Sequence, residues 1–391
     1  MINVLVLGFF KYGNFFVSNI NNLLNINLNY EFPQLPLGVS FFTFSAISYL
    51  VDVFNGKIKP RGKFAQFVIY ISFFPKLISG PIARYQEMES GFKIQKSKIE
   101  DVNIGLKRFV LGLAKKVLIA DKISVIASSL MVANVWNSSI YLAWFGVVLF
   151  GLQIYYDFSG YTDMAIGVAR IFGFKLPENF NQPYLSKSVS EFWRRWHITL
   201  GNWFRDYVYI PLGGNRVKTI INIRNLIIVW MLTGLWHGAS WNFVLWGLYF
   251  GVFIVLEKYF LAKILKKLPK LLNWFYASIL IFAGWSLFIP GGFRESIERY
   301  SGLFIGDYSI NQNMINELLY VVKDNWIYII LAILFILPIN KLILAIKNTQ
   351  IFSKHKNLFN LATVIFTILL FWLSISNIVG SSVNTFIYFG F

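Results

Sequence analysis

Of the three histidines in 391 residues, two stand 40 positions apart, each directly after a tryptophan. His197 lies in Glu191-Phe-Trp-Arg-Arg-Trp-His-Ile-Thr-Leu-Gly-Asn-Trp-Phe-Arg-Asp206, a polar, basic and aromatic run. His237 lies in Leu232-Thr-Gly-Leu-Trp-His-Gly-Ala-Ser-Trp-Asn242, inside an apolar zone. Apolar surroundings set the protonation free energy of an imidazole, which makes such a ring a candidate base near neutral pH. His237 is therefore the first candidate for chemistry. The third histidine, His355, sits between Lys354 and Lys356 and reads as a solvated loop residue.

A membrane-embedded general base suits acyl transfer from a thioester to a hydroxyl. The hydroxyl loses its proton as it attacks, and the thiolate leaves with little help. The oxyanion needs donors, which Trp236, Asn242 or an arginine can offer. Arg194, Arg195 and Arg205 suit the phosphates of a coenzyme A donor or the phosphopantetheine of a carrier protein. Trp196 and Asp206, in the same run, complete the candidate donor and substrate set. Metal binding is a poor alternative, because two distant histidines with no cysteine and no acidic cluster make a weak ligand set. The absence of cysteine also excludes disulfides and a cysteine acyl-enzyme. Packing histidines satisfied by their neighbours are the other alternative.

These residues must be carried by membrane helices. Mean hydropathy is +0.57, and 56% of residues are hydrophobic and 19% aromatic, more apolar surface than a soluble domain of this length can bury. A span needs about 20 apolar residues, and the uncharged windows 123–156, 225–256, 272–293 and 357–391 supply that length, some of them twice over. The chain reads as a polytopic, all-α membrane protein. Its net charge of +18 fits cytoplasmic loop bias better than nucleic-acid binding, since the basic residues fall between spans. The segment 170–224, with nine basic residues against three acidic ones, then faces the cytoplasm.

In chain order, 2–24 reads as a weak span broken by Lys11, without the basic start and cleavage site of a signal peptide. Residues 35–54 form a better span, followed by the basic loop Lys57, Lys59, Arg61 and Lys63. The next span, 64–82, is broken by Pro75, Gly80 and Pro81, which reads as a kinked packing helix. Residues 84–122 suit a helix at the cytoplasmic interface, its basic pairs Lys107-Arg108 and Lys115-Lys116 toward lipid headgroups. The window 123–156 makes a hairpin with a polar waist at 134–139. Asp157 and Asp163 lie at the end of one span and the start of another, where helix capping is one reading and a structural or gating role the preferred one.

Apolar and aromatic positions from Phe192 to Phe204 recur at three- and four-residue spacing, as in an amphipathic or re-entrant helix. Pro211-Leu-Gly-Gly-Asn-Arg216 makes a tight turn without a phosphate-loop ending. Two helices are expected to meet near Gly234–Gly238, with Gly234/Gly238 and Gly247/Gly251 as small-residue contacts. Further spans are expected at 272–290, 326–344 and 358–378. One membrane domain, 1–391, accounts for the chain, with 188–251 as its motif-bearing region.

Trp193-Arg-Arg-Trp-His197 through Phe204-Arg-Asp-Tyr-Val-Tyr-Ile-Pro-Leu-Gly-Gly-Asn-Arg216, followed by Gly234-Leu-Trp-His-Gly-Ala239, resembles the membrane-bound O-acyltransferase family, in particular its bacterial alginate O-acetyltransferase branch. Phe73–Arg84 and Tyr156–Gly167 resemble the same branch, and similarity runs from about Leu35 to Gly251 and more loosely to the end. The resemblance implies a multi-pass helical ring with re-entrant or interfacial helices around a transmembrane tunnel. It matches His237 to the family's catalytic histidine and His197 to its second motif histidine. It implies acetyl transfer from a cytoplasmic thioester, acetyl-coenzyme A or a carrier-bound group, to a polysaccharide or peptidoglycan, with no bound cofactor or metal. An extracytoplasmic esterase-like partner of the SGNH type and a bacterial cytoplasmic membrane are implied as well.

The D-alanyl-transferring branch shares the histidines, and a transporter or flippase for lipid-linked sugars or a non-catalytic scaffold are the other readings. A transporter predicts inverted repeats and several charged mid-span residues, neither evident in the sequence. Family members usually carry further apolar segments before the point matching Met1, so a truncated N-terminus is expected.

Overall fold

The computed structural model describes residues 2–380 apart from 34, 60–63, 93–96, 132–135, 137, 138, 307, 309–311, 324, 339–344, 346 and 350–353. Arg61, Lys63, most of the 134–139 waist and the end of the 326–344 span lie outside the described residues, which form helices and connections with no strand. Among the described residues, five helices are long and apolar enough to cross a membrane: Ile140–Ile171, Thr219–His237, Trp241–Lys267, Lys270–Phe288 and Lys356–Gly380.

Helix α1 (2–24) runs through Ile2–Leu7, a π turn at Gly8–Tyr12 and Gly13–Leu24 without a break. Lys11 does not interrupt it, because the ammonium finds acceptors on another helix. Helix α2 is Val39–Phe54. The expected span 64–82 is instead the nine-residue helix Phe64–Ser72 and the short turn Phe74–Leu77, since Pro75 and Pro81 remove backbone donors. Helix α3 (99–130) contains a π turn at Lys115–Ala120. The remaining helices that position the site are α4 (Ile140–Ile171), α5 (Val189–Arg195), α6 (Ile198–Phe204), α7 (Thr219–His237), α8 (Trp241–Leu256) and α9 (Lys270–Phe288), while α10 (Lys356–Gly380) packs on α3.

α3 and α4 pack antiparallel along a seam of glycines. A Cβ on Gly105 would lie 2.6 Å from the Gly167 carbonyl oxygen, and one on Gly112 would lie 2.5 Å from that of Gly160. Small residues allow this backbone approach, the main source of helix association where lipid is as apolar as leucine. The seam brings charges together: Lys115 bonds Asp163 at 2.6 Å, and Lys116 bonds Asp157 at 2.8 Å and Asp121 at 2.6 Å.

Three expectations change here. Arg108, Lys115 and Lys116 pair with carboxylates of the protein and do not face headgroups. Asp157 and Asp163 lie within one 32-residue helix, not between two spans. A buried ion pair joins Lys116 of α3 to Asp157, midway along α4, where the sequence showed no mid-span charge pair. The physical reason is common to all: intramembrane charges persist when each has a partner, and pairing across two helices is invisible to a window read along one.

α7 and α8 form the expected hairpin. A Cβ on Gly234 would sit 2.1 Å from the Phe243 carbonyl oxygen, and one on Gly247 2.3 Å from that of Trp230. The turn at 211–216 clasps the start of α7: the Asn222 amide donates to the Gly214 carbonyl at 2.5 Å and that of Asn225 to Leu212 at 2.7 Å. α9 closes the group, its Trp285 and Phe288 fully buried with Trp246 and Phe250 of α8.

Candidate active site

The aromatic run 192–204 is not one helix. α5 ends at Arg195, Trp196 is extended, and His197 takes a left-handed conformation with φ of 43° before α6 begins. That backbone costs a non-glycine residue about 1–3 kcal/mol, so its surroundings must fix it. Asn179 does so. Its carbonyl accepts from Ile198 N at 3.0 Å. Its side-chain Oδ1 accepts from Thr199 N at 3.2 Å and Thr199 Oγ1 at 2.9 Å, and lies 3.1 Å from His197 Nδ1. A backbone N–H can only donate, so this atom is oxygen and His197 Nδ1 carries the proton. The lone pair of His197 is then on Nε2. The 73–84 segment braces the same break, Ile82 N donating to Thr199 Oγ1 at 3.0 Å.

Glu257, buried in the π turn that extends α8, sets the start of α5. Its carboxylate accepts from Val189 N at 2.6 Å and Ser190 N at 2.8 Å, groups otherwise left without a partner at a helix N-terminus. Ser188 adds an N-cap, its Oγ accepting from Glu191 N at 2.9 Å.

His237 is the last residue of α7 and is buried. Its ring lies against Trp236 and Trp246, both at 5.0 Å between centroids, and Phe288 at 5.2 Å. The His197 ring lies 5.7 Å from the same Trp236 indole and 4.7 Å from Phe158. Two histidines 40 residues apart thus pack on one indole. Phe41 and Phe44 of α2 also contact Trp236.

Around these rings the indole N–H groups of Trp193, Trp236 and Trp246, the Asn179 amide N–H and the Asn242 Oδ1 are buried without a hydrogen-bond partner among the described residues. An orphaned buried polar group costs about 1–3 kcal/mol. These are groups that water or an oxygen-bearing substrate would satisfy. Among the described residues no group of three or more His, Cys, Asp or Glu is placed to hold a metal ion.

The basic candidates lie apart from this centre. Arg194 is exposed, Arg195 pairs with Glu191 at 2.6 Å, and Arg205 with Asp206 at 2.6 Å. Asp206 also pairs with Arg84. Burial alone would raise the Asp206 carboxyl, but the Arg205 hydrogen bond and the Arg84 charge outweigh it and hold the group below the usual carboxylate range. Trp196 is enclosed by Tyr155, Phe180, Phe192 and Trp285. Asn242 donates to the Leu287 carbonyl at 3.4 Å, tying the start of α8 to the end of α9.

Sequence reading missed Asn179, Glu257 and Lys11. Lys11 and Glu257 carried a usable signal, a charge inside or at the edge of an apolar window. Asn179 carried none, because its value lies in a contact across 18 residues.

Residues 58–292, more than half of the chain, match the family described as MBOAT, membrane-bound O-acyltransferase family. The chain is 38% identical over 316 residues to the probable alginate O-acetylase AlgI of Azotobacter vinelandii, covering 80% of this chain and 63% of the relative. It is 37% identical over 331 residues to the peptidoglycan O-acetyltransferase of Helicobacter pylori, covering 77% and 63%. It is 31% identical over 242 residues to the teichoic acid D-alanyltransferase of Bacillus subtilis, covering 57% and 59%. The chain spans less than two thirds of the length of each.

Proposed function

Because the chain belongs to the membrane-bound O-acyltransferase family, we propose that it is an integral-membrane O-acetyltransferase with His237 as general base. The acetyl group comes from a cytoplasmic thioester, acetyl-coenzyme A or a carrier-bound equivalent, and goes to a hydroxyl for modification of a cell-envelope polysaccharide or peptidoglycan. The observation that carries this reading is the burial of His237 and His197 against one indole, amid unpaired indole N–H donors.

A neutral His237 nitrogen takes the acceptor's proton as its oxygen attacks the thioester carbonyl. The new C–O bond forms, the C–S bond breaks, and the thiolate leaves, recovering the proton from the imidazolium. The Trp236 and Trp246 N–H groups suit the carbonyl oxygen as it gains charge, and a donor already buried needs no reorganisation. His197, with its proton fixed on Nδ1 by Asn179, offers the Nε2 lone pair to a hydroxyl and orients it. Arg194, exposed one residue beyond Trp193, suits the donor's phosphates. A tunnel joining the two sides, a bacterial cytoplasmic membrane and an extracytoplasmic esterase-like partner that receives the acetyl group complete the proposal.

The test is transfer from labelled acetyl-coenzyme A, and from an acetylated carrier protein, in membranes with polysaccharide acceptor. Wild type is compared with His237→Ala and His197→Ala at matched folded levels, with D-alanyl carrier protein as a control donor. His237→Ala is expected to lose at least a hundredfold in kcat, and His197→Ala less. Full transfer by folded His237→Ala refutes the assignment, and preferential D-alanyl transfer refutes the choice of acyl group.

A further inference from the structure

The last four carbonyls of a helix have no partner within it, and inside a membrane no bulk water replaces one. In α7 those carbonyls belong to Gly234, Leu235, Trp236 and His237. Gly234 O accepts from Gly238 N at 3.4 Å. The other three are met from α1, more than 220 residues away. Tyr12 Oη donates to Leu235 O at 2.8 Å, and Lys11 Nζ donates to Trp236 O and, at 3.5 Å, to His237 O.

Lys11 also donates to Ser40 Oγ at 3.3 Å and stands 5.7 Å from the Trp236 ring centroid. It forms no ion pair with a carboxylate among the described residues. Its ammonium instead stands at the negative end of the α7 dipole, a favourable place for a cation. The same α1 reaches across the turn, Asn19 Oδ1 accepting from Trp241 Nε1 at 2.8 Å. One helix thus fastens both ends of the 237–241 connection.

We infer that Lys11 is a positioning residue for His237, holding with Tyr12 the terminal carbonyls of the helical turn that carries the imidazole. The inference rests on the reading of His237 as the base. Without the ammonium, the Trp236 and His237 carbonyls lose their donor and the last turn of α7 is free to unwind. The imidazole then shifts, and a 1 Å misplacement costs about a hundredfold in rate. Lys11 and Tyr12 bond backbone carbonyls of α7 and the Ser40 hydroxyl, so the loss is expected in kcat and not in donor KM.

The experiment compares wild type, Lys11→Met, Lys11→Arg, Tyr12→Phe and His237→Ala for acetyl transfer in membranes at matched folded levels. Lys11→Met is expected to lower kcat about ten- to a hundredfold with donor KM within about twofold. Lys11→Arg, which keeps charge and donors, is expected to recover most of the loss. Amide exchange at 237–242, expected about tenfold faster in Lys11→Met, reads the hold without any activity. Wild-type kcat and exchange in Lys11→Met overturn the inference, as does a loss in KM alone. If Lys11→Met does not fold, Tyr12→Phe, which deletes one hydroxyl and no charge, decides by the same kcat and exchange criteria. Full transfer by His237→Ala instead overturns the base assignment, and the exchange arm then decides separately whether Lys11 holds this segment.

Discussion

Replacing Gly234 with alanine would place a Cβ 2.1 Å from the Phe243 carbonyl oxygen and 3.3 Å from the Gly247 Cα. Carbon to carbonyl-oxygen contacts between helices settle near 3.3–3.6 Å, so the α7 and α8 backbones must part by roughly 1.2 Å. The obstacle is backbone on both sides, so no side chain can rotate away to relieve it. Overpacking of this kind costs about 1–3 kcal/mol. His237 lies three residues further along α7 and Trp246 lies on α8, so the same separation opens the wall that holds the imidazole. A displacement of that size corresponds to about a hundredfold loss in kcat.

Gly201→Ala is the control. That glycine lies in the His197 run, on an exposed face of α6, with only the Trp193 carbonyl oxygen near its Cβ, at 3.8 Å. Alanine there is expected to leave transfer within about twofold and to stabilise α6 by up to about 1 kcal/mol. Transfer rates and thermal unfolding of both variants in detergent are the assay. Wild-type activity in Gly234→Ala, or a comparable loss in Gly201→Ala, would refute the argument from helix spacing.

Lys116→Met leaves Asp157 buried without its cation and should cost about 3–5 kcal/mol. Lys116→Met with Asp157→Asn should recover much of that, and a double variant as unstable as the single one would show that the pair is not the cause. Asp206, held below the usual carboxylate range by its arginines, adds stability that is present above its unfolded value of about 3.9. That contribution disappears as pH falls through the lower folded value. Asp206→Asn should therefore lower the melting temperature at pH 7 and flatten its fall in acid, whereas an unchanged acid limb would exclude Asp206 as a contributor.

The chain's own composition determined that it is a bundle of membrane helices, because length and hydropathy are properties of a segment. His237 stood out for a similar reason, as a titratable group in an apolar window, His197 as a histidine after a tryptophan in a basic, aromatic run, and the Gly234/Gly238 and Gly247/Gly251 spacings pointed to close packing of α7 and α8. What the tertiary structure decided depends on pairs of segments. Only packing turned Lys11 from an interruption of α1 into the donor at the end of α7. The helical spacing of 192–204 gave no hint of the left-handed break at His197, since Asn179, which holds that break, acts from outside the run. Lys115 and Lys116 read as headgroup ligands until α4 supplied a carboxylate to each. A residue's periodicity is local, but the partner that satisfies a buried polar group in a membrane comes from wherever the chain returns.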